Sequence, residues 1–248
     1  NDKLNELVHR REYILQTIEE QGKLTDELKK RIEDCWDATL LEDIYLPFKP
    51  KRKTKAEVAR KKGLEPLANT LLLQPYKKPE EVAKQYVKGE VKDVEEALQG
   101  ARDILAERFN EDERTRQVVR RSFEHTAMIR SKVVKSKEAE AGKFRDYFDW
   151  SEPLKRCTSH RLLAMRRGEA EGYLRVSIGP SDEDDCISRV ERPFVKVGSP
   201  AAAHVAMAAI DAYKRLLKPS IETEFAGSSK TRADEEAIQV FANNLKQL

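Results

Sequence analysis

The chain has few cysteines, and those it has are scattered. Cys35, Cys157 and Cys186 are the three in 248 residues. An odd number at such spacing offers no disulfide framework and fits free thiols in a reducing compartment. No apolar run approaches the roughly 20 residues that cross a bilayer. The N-terminal residues carry no secretory pattern. A cytoplasmic protein with no membrane partner is expected. Glycine and proline, ten of each, are also few, which favours helix.

Signatures of catalysis and cofactor binding are missing too. The cysteines and the four histidines, His9, His125, His160 and His204, lack CxxC or HxxxH spacing. The acidic run Asp182 to Asp185 has no Asp-X-Asp-X-Asp-Gly pattern with a distal glutamate, and reads as a helix N-terminus whose acids suit the dipole. Ser159-His160-Arg161 places serine beside histidine, but no Gly-X-Ser-X-Gly elbow accompanies it. There is no glycine-rich phosphate loop. A non-enzymatic protein without metal or nucleotide cofactor is expected.

Charge is abundant. Charged residues are 37% of the chain and apolar ones 39%, a polar balance that long amphipathic helices with wet outer faces would produce. Net charge is only +3, yet it is unevenly placed. From Pro47 to Lys62 eight Lys/Arg (Lys49, Lys51, Arg52, Lys53, Lys55, Arg60, Lys61, Lys62) meet one acid, Glu57, a local 8 − 1 = +7. This strap follows an apolar run, Leu40 to Phe48, and is bracketed by Pro47 and Pro50, which bar helix and extend the backbone. Thr54 and Glu57 have capping-box spacing, so a helix should start at Thr54; Gly63 suits its C′ position and Pro66 the first turn of the next helix. Leu41, Ile44, Tyr45, Leu46 and Phe48 are expected to be buried, with Lys51, Arg52, Lys53 and Lys55 in water. A basic strap at a helix start suits phosphate binding. A solvated charged face or a docking surface would carry the same residues. Arg161, Arg166 and Arg167 form a second basic cluster, which either meets phosphate or pairs with Glu152, Glu169 or Glu171.

The remaining pattern is mostly helical. Leu4, Leu7, Val8, Ile14, Leu15 and Ile18 form one stripe that Gly22 stops, and Thr25 and Asp26 open a second helix, making a helical hairpin. Helices are expected over 64–73, from Val94 to about Phe109 and over 112–125. Strands are expected at 127–134, 144–150 and 173–178. Ser159 is expected to cap a helix ended by Gly168, and Ser181 to cap the next. A long helix from Ser199-Pro200 should end near Pro219, with a last helix from Ala233 carrying Ile238, Phe241 and Leu245. The expected fold is mainly α, a multi-helical scaffold with a small inserted β element around residues 127–178. The expected regions are 1–126 and 127–248.

Three stretches resemble the bacterial Tex family of transcription accessory proteins. They are LEDIYLPFKPKRKTKAEVARKKGLEPLA, beginning at Leu41, then FRDYFDWSEPLKRCTSHRLLAMRRGEAEGYL from Phe144, and RADEEAIQVFANNL from Arg232. The family is also similar to the core of a eukaryotic transcription elongation factor. The resemblance implies a helical scaffold associated with nucleic acid, RNA or DNA, and with the transcription machinery. It also implies neighbouring domains: a helix-turn-helix region before this segment, then ribonuclease-H-like, helix-hairpin-helix and S1 parts after it, so that the chain would stop just before the ribonuclease-H-like domain.

Overall fold

Capping side chains set the helix starts of the first half. Thr25 accepts from the Leu28 amide, Asp37 from those of Thr39 and Leu40, Thr54 from Glu57, and Asp93 from Glu96. Each satisfies a backbone donor that the first helical turn leaves unpaired. The structure, a computed structural model, describes residues 1–51 and 53–248. They divide into two compact units, 1–116 with 199–204, and 117–198 with 205–248.

The first unit holds α1 (Asp2–Glu20), α2 (Asp26–Glu33), α3 (Ala38–Tyr45), α4 (Lys55–Lys61), α5 (Glu65–Leu73), α6 (Pro79–Ala83) and α7 (Val94–Glu111). Ile14, Ile18, Ile32, Leu41, Ile44 and Tyr45 close one core around the expected α1–α2 hairpin, while Leu4 at the head of that stripe stays 47% exposed. α7 is the second centre, and α4, α5 and α6 pack on it. Gly100 makes that approach close: a Cβ there would lie 2.3 Å from Leu64 Cδ1. Gly63, at φ +78°, turns the chain from α4 into α5, as its position predicts. Arg116 Nε reaches the Asp43 carboxylate at 2.8 Å, a buried pair that ties the start of the next helix to α3.

The second unit takes α8 (Glu113–Thr126) from Gln117 onward, then β1 (Met128–Val133), β2 (Asp149–Pro153), α9 (Ser159–Ala170), β3 (Leu174–Gly179) and α10 (Glu183–Glu191). α11 (Ala202–Asp211) belongs to it from Val205, followed by α12 (Lys218–Lys246). The strands form one antiparallel sheet in the order β2-β1-β3. The fold is therefore mainly α with a small β element where the sequence places it.

Several boundaries differ from expectation. The aromatic run 144–150 is not one strand: Gly142–Tyr147 is a 3-10 segment and β2 begins at Asp149. Phe144, Tyr147 and Phe148 are spaced by three and four, a helical interval, and Phe144 is buried facing Tyr173. Thr158 rather than Ser159 caps α9, and Asp182 rather than Ser181 caps α10. α9 also runs through Gly168, because that glycine is a packing site: a Cβ there would sit 2.4 Å from Leu174 Cδ1. Gly172, at φ +82°, follows its end instead. Pro219 does not stop the long helix. A π segment, Ala212–Leu217, precedes it directly and α12 continues to Lys246; widened backbone there accommodates a residue with no N–H. Ile238, Phe241 and Leu245 ride on that same helix, 68%, 66% and 54% exposed.

Candidate nucleic-acid interface

The strap is held from both sides. On its N-terminal side Leu41, Ile44 and Tyr45 are buried as expected, whereas Leu46 and Phe48, in a 3-10 turn, are only half-buried. Gln21 donates to the Phe48 carbonyl at 2.7 Å. On its C-terminal side Thr54 begins α4, and its hydroxyl also donates to Glu107 at 3.1 Å.

Glu107 on α7 organises the basic residues. Lys51 donates to it at 2.7 Å and Arg60 at 2.9 Å; Lys51 also pairs with Glu111. Arg60 lies near Glu57 and Glu65 as well, at 3.5 and 3.8 Å, and Lys62 pairs with Glu96 at 3.1 Å. Burial opposes the charge of Glu107, but Lys51 and Arg60 outweigh it and hold the carboxyl below its ordinary range. In Glu111 burial prevails and the carboxyl is pushed up. Lys51 is exposed, as expected, but it is not free: its side chain, 25% exposed, is paired with Glu107 and Glu111.

The strap therefore has two sets of cations. Lys51, Arg60 and Lys62 face α7. Lys49, Lys53, Lys55 and Lys61 are exposed and make no ion pair among the described residues. Arg52 lies outside the described residues. The anchoring acids went unread in the sequence, although a signal exists. Glu107 and Glu111 continue the buried stripe of α7 three and seven places after Ile104, and acids in that position need cations.

The second basic cluster, in the other unit, is largely committed to structure. Arg161 grips Glu152 with two bonds of 2.8 and 2.7 Å, and Trp150 Nε1 donates to the same carboxylate at 2.7 Å. Burial notwithstanding, Arg161 and Trp150 hold Glu152 low. Arg166 pairs with Glu169 at 2.8 Å. Arg167 is exposed and lines a groove of about 400 Å³ between α9 and α12, with Leu163, Ala164, Ala237 and Val240 as its apolar wall.

Ser159 donates to Glu236 rather than to His160. The nearby Cys157 thiol is pushed up to about 12, by burial first and then by Glu152, which favours the protonated form over the nucleophilic thiolate. Among the described residues no group of three or more His, Cys, Asp or Glu could hold a metal ion, and no helix is long and apolar enough to cross a membrane.

A family model described as Tex central region-like matches residues 74–241. The chain belongs to the Tex family. Protein YhgF of Escherichia coli is 43% identical over 256 residues, covering 99% of this chain and 33% of that protein. The transcriptional accessory protein Tex of Neisseria gonorrhoeae is 40% identical over 250 residues, covering 99% and 33%. The S1 RNA-binding domain-containing protein 1 of Homo sapiens is 30% identical over 255 residues, covering 94% and 25%. The chain thus spans about a third of the length of the bacterial Tex-family relatives it matches.

Proposed function

We propose that this Tex-family chain is a non-enzymatic helical scaffold of a cytoplasmic transcription accessory protein, and that it meets RNA or DNA through phosphate contacts at the strap. The observation that supports this is the division of the strap. Lys51, Thr54, Arg60 and Lys62 fix its course against α7, and that course leaves Lys49 and Lys53 before α4, Lys55 at its start and Lys61 at its end exposed. A strap already held in place loses less freedom on meeting a phosphate backbone than a free lysine run would. The names of two relatives, one a transcriptional accessory protein and one an S1 RNA-binding domain-containing protein, point the same way. The four outward lysines are the bet within this site, ahead of the anchored ones and of Arg161 and Arg166.

The test is a titration of labelled single-stranded RNA and duplex DNA at several salt concentrations, with the unaltered chain and a variant carrying Lys49→Gln, Lys53→Gln, Lys55→Gln and Lys61→Gln. Each lost phosphate contact should lower the salt slope by about one unit. Stability should change little, since exposed lysines contribute almost nothing to folding. Equal affinity and equal slope in both proteins would reject the strap as the contact.

A second reading, a scaffold that docks other domains or the transcription machinery, is favoured by one feature. The C-terminal half of α12 exposes Ile238, Val240, Phe241 and Leu245, and Val240 with Ala237 lines the groove it forms with α9. Binding that ignores salt would favour it over the phosphate reading.

A further inference from the structure

We infer that the outer face of the three-stranded sheet is a second contact surface for the phosphate backbone of single-stranded nucleic acid. The inference rests on the nucleic-acid reading above but on none of its residues.

The sheet has a covered and an open face. Ile129 and Ser131 of β1, Glu152 of β2, and Leu174 and Ile178 of β3 are buried. The alternate residues Arg130, Lys132, Ser151, Arg175 and Ser177 are exposed. The register sets them in rows. In one row Arg130 stands between Ser151 and Ser177; in the next, Lys132 stands between Asp149 and Arg175. Two guanidiniums, one ammonium and two hydroxyls thus share a face whose one carboxylate in these rows is Asp149.

Two features single this face out from an ordinary solvated sheet face. Like charges placed directly opposite across strands are unfavourable, yet Lys132 is paired in register with Arg175. Asp149 meets Lys132 at 2.9 Å, but 70% and 82% of those side chains are exposed, so the pair is weak. Arg130 and Arg175 make no ion pair among the described residues. The acid whose charge reaches Arg130, Glu183, is itself bound to Lys218. Burial opposes Glu183's charge, and Lys218 is the larger influence holding it low.

Strand geometry supplies the spacing. Arg130 and Lys132 are two residues apart on one strand, roughly 6.7 Å, and strands lie about 4.8 Å apart. Adjacent rows therefore present cations at an interval suited to successive phosphates, with serine hydroxyls beside Arg130 to donate to the same oxygens. None of these exposed positions is aromatic, so the bases would not stack here, and recognition would be of backbone without sequence preference.

The test uses the whole chain and a fluorescein-labelled single-stranded RNA of mixed sequence, with a DNA of the same sequence beside it. In an Arg130→Gln, Arg175→Gln variant the salt slope should fall by about two units with weaker binding. Its thermal midpoint should hold or rise, because the Lys132–Arg175 repulsion is gone. A Ser151→Ala, Ser177→Ala variant should weaken binding with the slope unchanged. If the arginine variant binds with unaltered affinity and slope while the strap variant is impaired, the sheet inference is overturned and the strap reading stands. If the unaltered chain binds neither oligonucleotide, both are overturned.

Discussion

Glu107→Gln is the sharpest probe of how the strap is built. The substitution keeps size and one acceptor oxygen but removes the charge that Lys51 and Arg60 share. Removing one partner of a fully buried ion pair costs about 3–5 kcal/mol. Glu107 is nearly buried, its side chain 9% exposed, but Lys51 and Arg60 keep 25% and 24% exposure and retain Glu111, Glu57 and Glu65 as other partners. Losing Glu107 also relieves its repulsion of Glu111. The expected loss is therefore smaller, about 2–3 kcal/mol, near that of one charge-assisted hydrogen bond. At about 2–4 °C per kcal/mol for a chain of this size, the melting midpoint should drop by about 4–12 °C.

The pH dependence carries the sign. Glu107 has a folded-state pKa below its ordinary value. Its stabilisation is complete above the ordinary carboxylate range and is lost as pH falls through the lowered folded value. Glu111, pushed up, works in the opposite sense: its contribution falls as pH rises from the ordinary value through the raised one. Urea unfolding of both proteins from pH 7 downward should show a gap that is widest at neutrality and closes in acid. Coincident urea midpoints at pH 7 would refute the anchoring role of Glu107 for Lys51 and Arg60.

Two further substitutions test the packing that supports the strap. Gly100→Ala would gain about 1 kcal/mol of helix propensity in α7, but its Cβ meets Leu64 at 2.3 Å and Ala59 at 3.3 Å; overpacking costs of about 1–3 kcal/mol should outweigh the gain, and a raised denaturation midpoint would show that α4 and α5 yield freely. Tyr45→Ala removes a ring that is 2% exposed, edge-on to Tyr13 and under Arg10; a loss of about 3–5 kcal/mol is expected by analogy with other buried aromatics, and a loss below about 1 kcal/mol in chemical denaturation would place the apolar anchor outside the core.

Much of the fold was legible because local rules and packing agreed. The Thr54 cap, the Gly63 turn and Pro66 in the first turn of α5 all stand where the spacing puts them. The α7 stripe and the β1 alternation are equally direct. Misreadings arose where one residue type served two ends. Gly168 reads as a helix stop but is a contact point for Leu174, and Pro219 reads as a stop but follows a π segment. The site was less legible than the fold for a physical reason. A lysine's partner is set by tertiary contacts 34 to 60 residues away, as with Lys62 and Glu96 or Lys51 and Glu111. No local pattern in the basic run distinguishes Lys51 from Lys53.

That distinction changes what the Tex-like stretch means. Read as sequence, its eight cations are one basic run. Read in the fold, at least three of them are paired with acids of α7: Lys51 and Arg60 with Glu107, and Lys62 with Glu96 in the first turn. Under the proposed phosphate contact, a change at Lys51, Arg60 or Lys62 would therefore weaken binding indirectly, by loosening the strap, even if it touched no phosphate. Such a variant should lose stability along with affinity, while one at Lys49, Lys53, Lys55 or Lys61 should lose affinity alone. Measuring both quantities on each variant separates anchoring from contact, and neither measurement does so by itself.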